Sequence, residues 1–234
     1  YTLSLHDALP IWLSGEAACA GVGSACSLAR LTAKLEYADR DLGLRLQGDL
    51  GSRVSYQATV TNGTGYSDEN DAKSSAGRLV VSVTEGVRLG ANASLHDYVS
   101  PGGTTEFAGA WGADLEVGSF ETRGVHLQAG VVGGDNWRAP AEDGDPSTFL
   151  AVQGILSYYH PTAPGAGVTG VEPLARASWA DPDGDGEGDG GVVLTPGFMV
   201  YFAERNKIGA NVDVYTPPDG DTEWSLKIQS YFYF

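Results

Sequence analysis

Glu223-Trp-Ser-Leu-Lys-Ile-Gln-Ser-Tyr-Phe-Tyr-Phe234 ends the chain in strict alternation. Trp224, Leu226, Ile228, Phe232 and Phe234 fall on one side of an extended strand, with Ser230 as the exception. Lys227, Gln229, Tyr231 and Tyr233 fall on the other, because strand side chains alternate with period two. Termini of soluble domains usually fray. A final strand with one apolar face, stopping on an aromatic residue, is instead built to meet an apolar medium on one side and a polar one on the other.

The same alternation recurs upstream. Leu42, Leu44 and Leu46 alternate with Gly43, Arg45 and Gln47. Val54, Tyr56, Ala58 and Val60 alternate with Ser55, Gln57, Thr59 and Thr61, and Val87, Leu89, Ala91, Ala93 and Leu95 with Arg88, Gly90, Asn92, Ser94 and His96. Leu79 to Val83, Phe107 to Val117, Val125 to Val131, Leu150 to Tyr158, Val171 to Trp179, Val192 to Phe202 and Ile208 to Val214 keep the period. With a weaker first strand near Leu28–Tyr37, the pattern predicts about eleven or twelve strands.

The connections alternate in length. Short turns fall at 49–52, 84–86, 118–122 and 203–206, and longer polar loops at 62–76, 97–105, 134–147, 181–191 and 217–222. Only 160–169 is long for a short-turn slot. Aromatics sort with the loops: Tyr98, Trp137, Trp179, Tyr215 and Trp224 beside the long ones, Phe120, Tyr158, Tyr159, Phe202, Phe232 and Phe234 at the opposite ends. Short turns on one side, long loops on the other and two aromatic rows describe an outer-membrane barrel. A soluble sandwich has no reason to sort its loops. The expected fold class is therefore all-β, an antiparallel transmembrane β-barrel occupying 28–234. Residues 1–27 are expected to form a non-native or poorly defined segment. Residues 1–12 lack an initiator Met, a basic n-region and an h-region, and resemble a translated sequencing adapter. The expectation is a fragment, with 1–12 outside the fold.

Composition narrows the function classes. Among 234 residues the net charge is −16, which argues against nucleic acid and against attachment to an anionic surface through basic residues. The longest apolar run, Gly197-Phe-Met-Val-Tyr-Phe-Ala203, is far below the roughly 20 residues of a membrane-spanning helix. Cys19 and Cys26 lie close enough in sequence for a local disulfide in an oxidising compartment, but two cysteines make no disulfide framework.

Asp39-Arg-Asp-Leu-Gly43, running through Gly48-Asp-Leu-Gly51 to Tyr56 and Asn62-Gly63, resembles the phosphate-selective porin O and P family. Gly112-Ala-Asp114, Glu172-x-x-x-Arg176, Leu194-Thr-Pro-Gly197 and the final Phe234 extend the resemblance over roughly residues 39–234. It implies a sixteen-stranded, homotrimeric outer-membrane porin of a Gram-negative cell, of which this chain is the C-terminal part, surrounded by outer-membrane lipid and lipopolysaccharide. It implies passive ion and solute transport and no covalent chemistry. Phosphate uptake in that family uses a basic constriction, whereas the loops here are acidic. Diffusion of small hydrophilic or ionic solutes generally is the better expectation.

The side of each strand opposite the apolar set should line the lumen. That places Arg45, Arg88, Asp114, Glu116, Glu172, Arg176, Lys207, Asp213 and Lys227 in the pore, where mixed signs give weak ion selectivity or simply tie the wall together. Asp181-Pro-Asp183-Gly-Asp185-Gly-Glu187-Gly-Asp189 has the carboxylate spacing of a calcium loop. Val192 replaces the glutamate that completes such a loop, so weak calcium binding by Asp181, Asp183, Asp185 and Asp189 is the most it supports, and no other cofactor is expected. His96, His126 and His160 show no metal spacing, and neither a nucleophile elbow nor a phosphate loop is present. The chain is not expected to be an enzyme. Two alternatives make distinct demands. A secreted soluble adhesin or sandwich with an acidic calcium loop would turn Arg88, Asn92, His96, Gln128 and Asp213 out to water around a dry core. A barrel hydrolase would bring a Ser–His or Asp–His pair together at a strand end.

Overall fold

A computed structural model of the chain describes residues 2–4, 31–32, 35–37, 41–63, 71–118, 122–140, 145–163, 167–184, 190–202 and 206–232. Cys19, Cys26, Phe120, Tyr233 and Phe234 lie outside these residues. The described strands are β1 (Thr2–Ser4), β2 (Gly43–Leu50), β3 (Val54–Thr61), β4 (Ser74–Thr84), β5 (Val87–Val99), β6 (Thr105–Val117), β7 (Gly124–Pro140), β8 (Pro146–Pro161), β9 (Val168–Asp181), β10 (Gly191–Phe202), β11 (Asn206–Thr216) and β12 (Glu223–Tyr231). They form one twelve-stranded sheet whose spatial order is the sequence order, and every neighbouring pair is antiparallel. Residues 2–4, expected to stay outside the fold, pair with Arg45–Gln47 of β2.

Each element follows from local chemistry. The tight connections use glycine where the backbone must enter the left-handed region: Gly51 has φ 72° and Gly86 φ 77°. The strands themselves hold the period-two pattern, so one face collects the apolar side chains. Leu42, Leu44, Leu46, Leu89, Leu95, Phe107, Trp111, Leu156, Leu194, Phe198, Ile228 and Phe232 are all exposed on that face. Val212 and Val214 lie half-buried on the same face. Turned the other way, Thr59, His96, Asp114, His126, Gln153, Ser157, Glu172, Ser178, Thr195, Lys207 and Asp213 are buried. This inverts the arrangement of a soluble core and overturns the sandwich, whose polar set would have been outside.

Three expectations need correction. The described part of the segment near Leu28–Tyr37 is not a wall strand: Leu31 and Thr32 are helical and Leu35–Tyr37 form a turn, with the Leu35 amide donating to the Leu31 carbonyl at 3.0 Å. The loop expected at 134–147 is largely strand, because β7 runs on to Pro140 and β8 begins at Pro146. Its Gly-Gly-Asp-Asn sequence reads as a turn, yet Gly133, Gly134, Asp135 and Asn136 are paired with Leu150, Phe149, Thr148 and Ser147. The aromatic rows are also thinner than expected. Trp179, Trp224, Tyr158 and Phe232 are exposed on the apolar face, but Tyr98 and Trp137 stack on each other, centroids 5.4 Å apart, within the cluster under the 31–37 segment.

Candidate functional site: the polar inner face and its covered patch

The inner face is organised by ion pairs that cross strands. Thr195 stands opposite Arg176 in the β9–β10 register, so cation and hydroxyl lie side by side. Arg176 donates to Thr195 Oγ1 at 2.7 Å and to Asp213 Oδ1 at 3.3 Å, and Thr195 donates to the same carboxylate oxygen at 2.7 Å. Asn211 adds a 3.1 Å bond and Lys227 pairs with Asp213 Oδ2, so one nearly inaccessible carboxylate gathers groups from four strands. Buried charges survive only where such partners replace water.

A second bridge spans β5. Arg78 grips Asp114 with two nitrogens, at 2.5 Å and 2.8 Å, passing over Gly90. Any Cβ at Gly90 would overlap both partners, so only glycine leaves the slot open. Arg88 pairs directly with Glu116 across the β5–β6 ladder. Lys207 is buried with its ammonium over the rings of Tyr231 at 5.2 Å and Tyr201 at 5.8 Å. Arg45 is half-buried on the same face, its Nε enclosed without a hydrogen-bond partner. All nine residues expected to line the pore thus lie on the inner face. Arg78 was missed, although extending the Leu79–Val83 alternation back by one residue places it there.

Glu172 does not pair with Arg176, four residues along the same strand. It is instead the centre of another cluster, accepting from Ser157 at 2.6 Å and Tyr201 at 2.5 Å and lying 3.0 Å from His126 Nδ1. Ser157, His126 and a carboxylate side by side meet the demand of the hydrolase alternative in composition but not in arrangement. Ser157 and Glu172 both face Nδ1, whereas a catalytic triad puts nucleophile and carboxylate on opposite ring nitrogens; the hydroxyl on Nε2 is that of exposed Thr122, at 3.3 Å. His126, Ser157 and Glu172 are 1–3% exposed, which closes the serine to any substrate.

Where the sequence suggested calcium, Asp181 accepts from the Asp183 amide at 3.3 Å, Asp183 accepts from Ser147, and the Gly184 amide bonds the Thr148 carbonyl at 2.7 Å. These bonds fasten the start of the stretch to β8. Asp185 and Asp189 lie outside the described residues, and among the described residues no group of three or more candidate ligands converges.

One part of the inner face departs from the polar pattern. Tyr98, Ala108, Ala110, Val132, Phe149, Ala151 and Ala180 make an apolar patch over β5 to β9, and Leu31, Leu35 and Tyr37 cover it. The Tyr37 hydroxyl donates to the Asp135 carbonyl at 2.8 Å, and Trp137 Nε1 donates to the Leu35 carbonyl at 2.8 Å. Burial, reinforced by the Asp135 carboxylate, pushes the Tyr37 phenol well above its ordinary pKa, so it remains a donor. Glu36 pairs with Arg138 and lies 3.6 Å from His96 Nε2. Sequence alternation did not reveal this: it read the covering segment as a weak strand, and the seat is made by contacts remote in sequence.

No family model matches the chain, and no curated protein matches it. The resemblance to the phosphate-selective porin O and P family therefore gains no support at that level. Among solved structures the chain is similar to the outer membrane channel DcaP of Acinetobacter baumannii, with a TM-score of 0.59 and 11% identity, covering 83% of this chain and 63% of that one. The chain thus spans less than two thirds of the channel's length. At this identity the likeness is one of fold alone: an all-β antiparallel sheet shared with a β-barrel.

Proposed function

We propose that the chain contributes the wall of an outer-membrane channel through which small hydrophilic solutes diffuse without covalent chemistry. The observation that carries this reading is the inversion of the sheet: an exposed apolar face opposite a buried, ion-paired polar one. In lipid every backbone polar group needs a partner within the protein, and an antiparallel sheet supplies them strand to strand. The exposed leucines then face hydrocarbon, and the Arg78–Asp114, Arg88–Glu116 and Arg176–Asp213–Lys227 groups face water. The fold likeness to a protein described as an outer membrane channel points to the same compartment.

Because Arg78, Arg88, Arg176 and Lys227 each stand against a carboxylate, these rows of the lumen offer no single-sign surface. Weak discrimination among small ions fits this better than phosphate selection. Protein produced from its complete coding sequence and reconstituted in planar bilayers should give stepwise conductance, with a small reversal potential in a potassium chloride gradient. Absence of conductance from a correctly folded, membrane-inserted protein overturns the channel; a strong anion preference overturns the selectivity.

A further inference from the structure

We infer that Thr122, Arg123, His126 and Glu172 form a hydrolytic site for small, water-soluble carboxylic esters at the short-turn end of the inner face. The inference does not depend on the channel reading, because it needs only the local geometry. A hydroxyl nucleophile requires a base at its proton and a carboxylate that fixes the base from behind. Thr122 Oγ1 lies 3.3 Å from His126 Nε2, and Glu172 Oε1 lies 3.0 Å from His126 Nδ1. Hydroxyl and carboxylate thus occupy opposite ring nitrogens. Thr122, just ahead of β7, is exposed, whereas His126 and Glu172 are buried, so the nucleophile meets water and its supports do not.

The supports are themselves held. Ser157 and Tyr201 both donate to Glu172, at 2.6 Å and 2.5 Å. A carboxylate fixed by two O–H donors stays an acceptor toward the ring, so Nδ1 carries the proton and Nε2 presents its lone pair to Thr122. Catalytic hydrogen bonds are commonly long before substrate arrives, and 3.3 Å is such a resting distance. Gly118 keeps the ring edge clear: a Cβ there would stand 2.8 Å from His126 Cδ2, the carbon next to Nε2. Arg123 follows the nucleophile in sequence, is exposed and has no ion pair among the described residues. It supplies positive charge for the oxyanion.

Thr122 Oγ1 attacks the ester carbonyl as its proton passes to His126 Nε2. The tetrahedral intermediate expels the alkoxide, which leaves as the alcohol with that proton. Water then gives a proton to Nε2 and attacks the threonyl ester, and the acid departs as the proton returns to Thr122 Oγ1. Ester and water are the only reactants. Glu172 touches no substrate and positions the imidazole.

The test is hydrolysis of para-nitrophenyl acetate by protein produced from its complete coding sequence and folded in detergent. Nitrophenolate release gives the rate, and peptide mass spectrometry locates the acetyl group. Saturable turnover and acetylation of Thr122 are expected. Thr122→Val should abolish both, and Thr122→Ser should keep them. His126→Gln and Arg123→Gln should each lower kcat about a hundredfold. Glu172→Gln should lower kcat with KM unchanged, a split that loosening of the wall alone would not produce. Tryptophan emission checks that each variant is folded. If the folded parent shows no saturable turnover, or if Thr122→Val or His126→Gln keeps the parent's rate, the site is refuted and the channel reading is untouched.

Discussion

Leu156→Arg separates lipid from water on the outer face. Leu156 is 54% exposed, flanked across the ladders by Leu127 and Ala175, with no polar partner in reach. It lies five residues before Pro161, the end of β8. At about 3.3 Å per residue that is about 16 Å along the strand. With a tilt of about 40° it becomes about 12 Å along the barrel axis, near the middle of an apolar belt about 25 Å tall. Arginine there costs about 2–4 kcal/mol in lipid. Half of the ~2 kcal/mol that a leucine gains on leaving water adds about 1 kcal/mol. The expected loss is therefore roughly 3–5 kcal/mol. The measurement is reversible denaturant unfolding in phospholipid vesicles, followed by tryptophan emission. Gln128→Lys on the inner face, opposite Glu116, is the control and should cost less than about 1 kcal/mol. A loss below about 0.5 kcal/mol for Leu156→Arg, the range of ordinary surface substitutions, would mean that this face meets water and that the barrel reading fails.

Asp213→Asn leaves Arg176 and Lys227 without their common counter-charge. It should cost about 2 kcal/mol, less than the 3–5 of a sealed pair because Lys227 can turn to water, and should shift the reversal potential toward anions; an unchanged potential would remove this row from the permeation path. Gly90→Ala intrudes on Arg78 and Asp114 and should destabilise by about 1–3 kcal/mol, whereas Arg78→Met combined with it should recover part of the loss; full additivity in the double-mutant cycle would refute the slot. Gly86→Ala, at φ 77°, should cost about 1 kcal/mol and Gly86→Asn less, read from the same unfolding curves; equal costs would show that the turn relaxes out of the left-handed region.

The fold was legible because its signal is a period. Leu42, Leu44 and Leu46 alternate with Gly43, Arg45 and Gln47 whatever the rest of the chain does, and the face they make is the exposed one. The partners within the inner face were not legible. Glu172 and Arg176 sit four residues apart on β9 and suggest a pair, but strand twist and neighbouring strands give Glu172 to His126, Ser157 and Tyr201 and give Arg176 to Asp213. Tyr98 and Trp137 were read as an interfacial row from their places at strand ends. Their stacking inside depends on Leu35 and Tyr37, whose role follows from contacts remote in sequence.

The row from Arg176 through Thr195 and Asp213 to Lys227 has a consequence for alignment between strands. A slip of one residue would turn every leucine inward and is forbidden by the solvent on each side. A slip of two residues keeps all leucines outward and all polar groups inward, so hydrophobicity cannot detect it. What such a slip breaks is the meeting of Arg176 with Asp213, and of Arg78 with Asp114 over Gly90, which has no Cβ to obstruct them. In a wall whose faces repeat every second residue, these charges act as index marks: their main effect is to distinguish the native register from near copies that the apolar pattern accepts equally well.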